Sequence, residues 1–216
     1  MSNFGFLDLR LVDPYDVAWR EARSAVGAAA VVGSARVFPS LAEAIADCSL
    51  VVGTASLGHR DLKIMVRRLD VGARLIRKRT ASEKAALLFG SEKFGLSNED
   101  LSHCHWLLRI PTRAEHESMN LGQAVALCLY EIGRTPPPSS PNPAAKATAG
   151  DLAEMEQLLS TILMESGYTQ PTTAESSGNK LRRFLRRMEL TRQDTSIWLG
   201  MLKQIHWKLS HRTKST

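Results

Sequence analysis

Two short, continuous apolar runs, each ended by a turn residue, constrain the fold of this chain most. Residues 49–54 read Ser-Leu-Val-Val-Gly-Thr and residues 85–90 read Ala-Ala-Leu-Leu-Phe-Gly. Runs of this length without alternation are typical of strands that are buried on both faces of a parallel sheet. Residues 7–12, 36–38 and 106–110 are predicted as further strands. Because helical patterns separate these strands, the sequence predicts an α/β fold with a mostly parallel sheet covered on both faces.

Helical spacing predicts the elements that cover this sheet. Residues 16–26 are predicted to be helical, and Ser40 is predicted to be the N-cap of a helix over residues 41–47. The basic stretch from residue 60 to residue 84 is also predicted to be helical. In residues 120–132 the apolar positions recur at helical spacing, so we expect one face of that helix to lie in the core.

The composition changes abruptly after residue 134. Residues 135–150 are rich in proline and are predicted to form a stiff linker between a main domain, residues 1–134, and a tail, residues 151–216. The tail shows three helical patterns and no strand signal. A unit of about 65 residues is marginal alone, so we expect it to pack on the main domain or on a partner subunit. The third helical pattern consists of Ile197, Trp198, Met201, Leu202 and Ile205.

Composition excludes several classes of protein. Apolar residues make up 44% of the chain, which excludes global disorder. No apolar run reaches the roughly 20 residues that a membrane helix needs. The first ten residues lack the basic flank and apolar core of a signal peptide, so we expect a cytoplasmic protein with no membrane partner.

The cysteines and histidines do not predict a metal site. Cys48, Cys104 and Cys128 are odd in number and widely spaced, so they are predicted to be buried free thiols. His103 and His105 flank Cys104, but side chains at this spacing rarely converge on one ion without further ligands. We therefore expect no metal.

Positive charge is concentrated rather than spread along the chain. The formal net charge is +6, and residues 60–84 alone contain nine basic and three acidic side chains. A second basic cluster, residues 180–187, lies on a predicted tail helix. Concentrated positive charge is typical of a protein that binds a polyphosphate, most simply nucleic acid, although a solvated helix face is the alternative.

Glycine-bearing segments follow two of the predicted strands. Residues 53–56 and 90–96 would stand at the carboxyl ends of parallel strands, where open α/β sheets form their ligand crevice. Neither segment is a dinucleotide fingerprint or a P-loop, which disfavours a nucleotide-dependent oxidoreductase and an NTPase. The specific signal is in the residues that follow Gly90.

Residues 87–131 contain several motifs in a specific order: Gly-x-Glu-x-x-Gly-Leu, an acidic helical turn, Cys-His, a strand ending in Ile-Pro, Ser-x-Asn-Leu and an apolar helix. This order resembles the SPOUT-class RNA 2′-O-ribose methyltransferases of the TrmH family, in particular the TrmJ branch. The resemblance implies an α/β SPOUT fold with a trefoil knot, a helical C-terminal extension and a homodimer. It also implies S-adenosylmethionine as cofactor and tRNA as partner, with methylation of a pyrimidine ribose at the 5′ edge of the anticodon loop.

The resemblance also implies the residues of the site. It assigns the methyl donor to Thr54, Ala55, Ser56, Gly90, Ile110, Glu117, Ser118 and Met119. Ile110 and Met119 would form apolar walls for the adenine. Glu117 departs from the family pattern, so it would contribute through its backbone.

The resemblance assigns catalytic roles to Ser118, Asn120 and Glu92, although capping of the following helix is the alternative role for Asn120. It assigns RNA binding to Arg60, Lys93, Arg182, Arg183 and Arg186.

The start of the chain departs from this family. Residues 1–5, Met-Ser-Asn-Phe-Gly, match the end of the family's first motif, so its principal catalytic arginine is expected upstream of Met1. Two hypotheses from different classes are therefore open. One is an RNA 2′-O-methyltransferase, and the other is a non-catalytic RNA-binding protein that keeps the SPOUT fold without the first motif.

Overall fold

The computed structural model describes residues 1–14, 27–55, 64–113, 115–116, 118–136 and 144–212. Its strands are β1 (Arg10–Val12), β2 (Arg36–Phe38), β3 (Leu50–Thr54), β4 (Val66–Arg68), β5 (Ala85–Leu88) and β6 (Trp106–Arg109). Its helices are α1 (Ala29–Gly33), α2 (Leu41–Ala44), α3 (Leu69–Thr80), α4 (Asn98–Ser102), α5 (Leu121–Gly133), α6 (Ala149–Glu165), α7 (Ala174–Arg187) and α8 (Arg192–Arg212).

Four strands form one parallel sheet in the order β4-β6-β3-β5, and β1 pairs with β2 in a separate parallel ribbon. At the centre of the larger sheet, Val52 of β3 lies opposite Leu87 of β5 on one side and Trp106 of β6 on the other. The predicted α/β architecture with a parallel sheet is confirmed.

Both faces of this sheet are covered, as the apolar runs predicted. Leu50 and Val52 of β3 point to one face, where they pack with residues of α3 and α5 such as Ile76 and Cys128. Val51 points to the opposite face and packs with residues around α2 and α4. Because side chains alternate along a strand, an apolar residue at each successive position supplies both cores.

The three tail helices have a core of their own and also pack on the main domain. Met155, Ile162, Leu185 and Leu202 are buried between α6, α7 and α8. The first turn of α6 is joined to the main domain, because the backbone N–H of Ala149 donates to the carbonyl of Cys48 over 2.7 Å. This contact agrees with the expectation that the tail packs on the main domain.

The packed face of α8 differs from the predicted one. Leu202 is buried, and Leu199 and Leu209 pack with it, but Ile197, Trp198, Met201 and Ile205 are exposed. The helical pattern is therefore right, whereas the face is wrong. The helix is apolar on more than one side, so periodicity alone does not select the side that meets α6.

The remaining differences concern short elements. Residues 66–68 form β4 rather than part of a helix, because pairing with β6 supplies the hydrogen bonds. The strand predicted for residues 7–12 begins only at Arg10, and the helix predicted for residues 41–47 ends at Ala44. The helix predicted for residues 16–26 and the prolines at 137–143 lie outside the described residues.

The three cysteines are buried and unpaired, which confirms their prediction. Burial raises the pKa of the Cys104 thiol to about 12 and that of Cys128 to about 12. Within the described ranges, no helix is long and apolar enough to cross a membrane, and no three His, Cys, Asp or Glu side chains are grouped as metal ligands.

Candidate functional site

A cleft of about 280 Å³ opens at the carboxyl ends of β3, β5 and β6. This is the edge of a parallel sheet where ligands bind in open α/β folds. The cleft brings together residues as far apart in the chain as Thr54 and Ala124. The predicted residues that line it are Thr54, Ala55, Gly90, Glu92, Lys93, Ile110, Ser118 and Met119.

Hydrogen bonds across the strand ends hold the floor of the cleft. The Thr54 hydroxyl donates to the carbonyl oxygen of Leu88 over 2.9 Å. The backbone N–H of Ala55 donates to the carbonyl oxygen of Leu108 over 3.1 Å. The end of β3 is thus joined to both neighbouring strands, which fixes the position of Thr54 in the cleft.

Gly90 allows the loop at residues 91–96 to lie directly against the end of β5. A Cβ atom at Gly90 would lie 2.0 Å from the carbonyl carbon of Gly95 and 2.2 Å from the nitrogen of Leu96. The loop closes tightly, since the N–H of Gly95 donates to the carbonyl oxygen of Ser91 over 2.8 Å and Gly95 has a φ of +68°. The requirement for glycine at position 90 is therefore steric, because backbone atoms occupy the space of a side chain.

Asn120 joins the two motifs that border the cleft. Its Oδ1 accepts a hydrogen bond from the backbone N–H of Gln123 over 3.3 Å, which caps α5. Its Nδ2 donates to Oε1 of Glu92 over 3.0 Å. Both contacts require the same orientation of the amide, so the capping role and the role between motifs are compatible.

The cleft also has apolar walls. Leu108, Ile110 and Met119 line it together with Phe89. Such a surface, combined with a few polar groups, is typical of a site for a small organic ligand that has a flat apolar part. The hydroxyl groups of Thr54 and Ser118 supply polarity at the same cleft.

Sequence reasoning missed Arg109, which lies at the end of β6 and lines the cleft. The described residues provide no ion-pair partner for its guanidinium. A signal was available, because Arg109 directly precedes the Ile-Pro that ends a strand at the ligand edge of the sheet. Next to it on the rim, Lys93 lies 5.0 Å from the ring of Phe94, which is 71% exposed.

Three predicted site residues are not placed by the structure. Ser56, Glu117 and Arg60 lie outside the described residues. Their assigned roles stay predictions, as do the catalytic and donor-binding roles of the residues that line the cleft.

The structure does not place Arg182 and Arg186 on an exposed surface, so their assigned role in RNA binding stays a prediction. Arg186 is only 3% exposed. Arg182 donates to both carboxylate oxygens of Glu156, over 3.1 and 3.0 Å, and to the hydroxyl of Ser102 over 2.9 Å. The two side chains point into the junction between tail and main domain, because α7 turns this side toward α4 and α6. Arg183 is half-buried and Arg187 is exposed.

Much of the basic charge predicted for residues 60–84 is also compensated. Arg77 is buried and donates to the carbonyl oxygen of Glu131. Arg79 pairs with Glu83 and Glu189, Lys84 pairs with Asp47, and Arg68 pairs with Asp70. On α3, Arg74 and Lys78 are exposed and have no ion pair with a described residue.

His105 has a structural position. Its Nδ1 accepts a hydrogen bond from the backbone N–H of Val51 over 3.1 Å. Burial, reinforced by the positive charges of Arg186 and Arg79, lowers the pKa of His105 to about 3. The imidazole is therefore neutral at physiological pH and helps to hold β6 beside β3.

Solved structures share this architecture. A crystal structure of TrmJ from Z. mobilis superposes with a TM-score of 0.83 at 30% sequence identity, covering 95% of this chain and 90% of that one. A probable methylase family protein from Haemophilus influenzae matches with a TM-score of 0.58 at 29% identity, over 98% of this chain and 89% of that one. The similarity supports the predicted SPOUT architecture, while the knot stays a prediction.

Sequence comparison gives the same relationship. A tRNA (cytidine/uridine-2′-O-)-methyltransferase TrmJ from Sodalis glossinidius is 32% identical over 212 residues, which span 95% of this chain and 83% of the relative. The protein of the same name from Cronobacter sakazakii is 32% identical over 218 residues, covering 95% and 87%. The model of the SpoU rRNA methylase family matches residues 1–130, which include the whole cleft. The chain therefore belongs to the SpoU rRNA methylase family.

Proposed function

We propose that this protein transfers a methyl group from S-adenosylmethionine to a ribose 2′-hydroxyl of tRNA, at a pyrimidine on the 5′ edge of the anticodon loop. The observation that carries the proposal is the cleft, in which both family motifs meet through the hydrogen bond between Asn120 and Glu92. The substrate class comes from the relatives, which are named tRNA (cytidine/uridine-2′-O-)-methyltransferases. The built cleft favours an enzyme over a non-catalytic RNA-binding protein.

The residues of the cleft fit the proposed donor. An adenine ring needs apolar walls, for which Ile110 and Met119 are available, and Thr54 and Ser118 offer hydroxyl groups for the ribose and amino acid parts. The sulfonium of the donor, when bound, supplies an electrophilic methyl group that needs no metal ion for its transfer. Ala55, whose side chain is small, and Gly90 also line the cleft.

The contribution of the chain to the reaction is mainly positioning. Holding the ribose oxygen in line with the methyl group removes most of the entropic barrier of the transfer. Both polar atoms of the Asn120 amide are hydrogen-bonded, Oδ1 to the N–H of Gln123 and Nδ2 to Glu92. The side chain therefore has a fixed orientation next to the cleft. We propose that Asn120 and Glu92 orient the segment that carries Ser118, and that Ser118 contacts the reactants. Glu92 is exposed on the rim, where its Oε1 accepts the hydrogen bond from Asn120 over 3.0 Å, so its proposed role is also positioning.

The proposed tRNA surface surrounds the cleft. Lys93 and Arg109 place positive charge at its rim, where the phosphate next to the target ribose would lie. Arg74, Lys78 and Arg183 are further cations without an ion pair among the described residues. Arg182 and Arg186 are not part of this exposed set, because they lie at the junction between tail and main domain.

We also propose a homodimer that uses the exposed side of α5 and the N-terminal turn. Phe4, Leu127 and Tyr130 are 37%, 42% and 53% exposed, and the rings of Phe4 and Tyr130 lie 6.0 Å apart in an edge-on arrangement. Clustered exposed apolar side chains are typical of protein interfaces. Light scattering should show a dimer that Leu127→Glu dissociates, whereas Tyr168→Glu, at a position 82% exposed, should leave it unchanged.

The proposed reaction is tested with tRNA transcripts and a donor labelled in its methyl group. We expect label in the tRNA and none in a transcript that carries a 2′-deoxyribose at the target position. Calorimetry should show binding of S-adenosylmethionine in the absence of tRNA. Absence of donor binding would refute the proposal, whereas donor binding with label at another nucleotide would refute only the proposed target.

A further inference from the structure

A second cavity, of about 300 Å³, lies at the junction of the tail and the main domain. It is separate from the cleft and shares no lining residue with it. The side chains around it come from α2, α6 and α7 and from the turn after α4. The polar ones are His103, Glu156, Gln157, Ser160, Arg182 and Arg186.

Arg186 is the central observation. It is 3% exposed, yet its Nε and Nη1 have no hydrogen-bond partner among the described residues. No described carboxylate lies within ion-pair distance of it. A buried guanidinium without a partner is strongly destabilising, so side chains of this kind are normally paired. Arg186 is also one of the residues that line the cavity, so a ligand bound there would lie beside its side chain.

His103 presents a second unsatisfied group to the same cavity. It is 7% exposed, and its Nδ1 has no hydrogen-bond partner within the described part of the chain. The neighbouring Arg182 is satisfied, since it pairs with Glu156 and donates to Ser102. The unpaired groups of the cavity are therefore one guanidinium and one imidazole.

The charges of the cavity define the missing ligand. Two guanidinium groups, Arg182 and Arg186, face one carboxylate, Glu156, so one positive charge remains. A metal cation would be repelled, and an apolar ligand would leave the N–H groups of Arg186 unsatisfied. An oxyanion matches the planar, forked guanidinium and supplies several acceptor oxygens for its N–H groups.

We propose that this cavity binds a single phosphate group, held by Arg186 and His103. Two sources share this chemistry: a free phosphate-type anion in solution and a phosphate of the RNA backbone. In either case the ligand would join α7 to the turn after α4, and thus the tail to the sheet. The proposal is independent of the methyltransferase activity, because no residue of the cleft takes part in it.

The first experiment titrates the full chain with inorganic phosphate at constant ionic strength, with chloride as the exchanged anion. We expect saturable binding of one phosphate per chain by calorimetry. At about tenfold the dissociation constant, the melting temperature should rise by about 3–6 °C. Arg186→Met should abolish both effects. Because it replaces a buried charge by an apolar side chain of similar length, this variant should melt no lower than the wild type without phosphate.

The matched control is Arg187→Met, which removes an exposed arginine from the next position of the same helix. It should bind phosphate as the wild type does. Gln157→Glu, which adds a carboxylate to the lining of the cavity without a change of shape, should weaken phosphate binding at least tenfold. Absence of saturable binding by the wild type, or equal binding by Arg186→Met, would overturn the proposal.

A third arm distinguishes the two sources of phosphate. If the ligand is an RNA phosphate, tRNA should compete with inorganic phosphate, and Arg186→Met should weaken tRNA binding while donor binding is unchanged. If the ligand is a free anion, phosphate binding should be indifferent to tRNA. Both outcomes require the wild type to bind phosphate through Arg186, and they differ only in its origin.

Discussion

The cleft at the strand ends and the cavity beside the tail have similar volumes, about 280 and 300 Å³. They differ in the exposure and the hydrogen bonding of their polar groups. In the cleft, Glu92 and Asn120 are exposed and satisfy each other. In the cavity, Arg186 and His103 are buried and have nitrogen atoms without a hydrogen-bond partner among the described residues. The polar groups of the cleft are therefore hydrogen-bonded without a ligand, whereas those of the cavity need an anionic partner. We therefore expect the cleft to orient a reactant, and we expect a ligand in the cavity to stabilise the folded protein.

The largest effect should come from the floor of the cleft, through Gly90→Ala. The new Cβ would lie 2.0–2.3 Å from backbone atoms of Gly95 and Leu96, which cannot move without opening the loop. We expect the free energy of unfolding to fall by about 3 kcal/mol or more, measured by urea denaturation. Binding of S-adenosylmethionine should be lost as well.

Gly200→Ala is the matched control for this change. Gly200 lies in α8, and nothing lies within 4 Å of its added Cβ. This substitution should raise the free energy of unfolding by about 0.5–1 kcal/mol, because alanine restricts the unfolded chain and favours the helix. Equal stability of Gly90→Ala and the wild type would show that the loop does not need to lie so close to β5.

Asn120→Asp tests the hydrogen bond that closes the cleft. Aspartate keeps the oxygen that caps α5 but presents a second carboxylate to Glu92 in place of the amide N–H. We expect the free energy of unfolding to change by less than about 1 kcal/mol, while methyl transfer falls on the order of 100-fold because the segment with Ser118 is displaced. Single-turnover methylation of tRNA measures the loss.

The double variant Glu92→Gln with Asn120→Asp restores the hydrogen bond with donor and acceptor exchanged. It should recover much of the activity that Asn120→Asp loses. If Asn120→Asp is as active as the wild type, capping is the whole role of Asn120, and the proposed link between the two motifs does not contribute to the reaction.

Because His103 is buried at the cavity, the free energy of unfolding should depend on pH. Burial, with the positive charges of Arg182 and Arg186, lowers the pKa of His103 to about 4, against the opposing effect of Asp100. In the unfolded chain the imidazole titrates near its ordinary pKa of 6.5. The free energy of unfolding is therefore unaffected by the titration of His103 above pH 6.5. It falls as the pH drops from 6.5 toward 4, because in this range the unfolded state binds a proton at His103 and the folded state does not.

At pH 5 the free energy of unfolding should be about 2 kcal/mol lower than at pH 7.5 because of His103 alone. His103→Gln should lack this part of the decrease. The measurement is the free energy of unfolding of both proteins by urea at pH 7.5 and pH 5. Saturating phosphate should reduce the loss in the wild type, since a bound anion favours the protonated imidazole. Parallel pH profiles for the two proteins would mean that His103 is not buried in the folded protein as described.

The cleft could be predicted from the sequence and the cavity could not, for physical reasons. Buried parallel strands are continuous apolar runs, and loops at their carboxyl ends meet whatever their separation in the chain. Gly90 and Glu92 could therefore be assigned to the same edge as Thr54, whereas Asn120 was assigned to the site by the resemblance to the family. The hydrogen bond between Glu92 and Asn120 required coordinates, because sequence motifs do not specify side-chain geometry.

The cavity arises from packing between distant segments, which no local pattern describes. Lys180 to Arg187 form one basic cluster in the sequence, but α7 presents Arg186 to the interior and Arg187 to solvent. Periodicity identified α7 as amphipathic, whereas its packing against α4 and α6 decides which arginines are covered. The exposed face of α8 was missed for the same reason, since two of its sides are apolar and only tertiary contacts select one.

The smallest expected effect belongs to Arg183, which the sequence grouped with Arg182 and Arg186 and the structure separates from them. Arg183 is half-buried on α7 and has no ion pair with a described residue. If it contacts an RNA phosphate, Arg183→Gln should weaken tRNA binding about two- to fivefold, and the slope of log affinity against log salt should fall by about one. Filter binding across a salt series measures both quantities, with Arg79→Gln as a comparison, since Arg79 is already paired with Glu83 and Glu189. Equal salt slopes for Arg183→Gln and the wild type would remove Arg183 from the proposed tRNA surface.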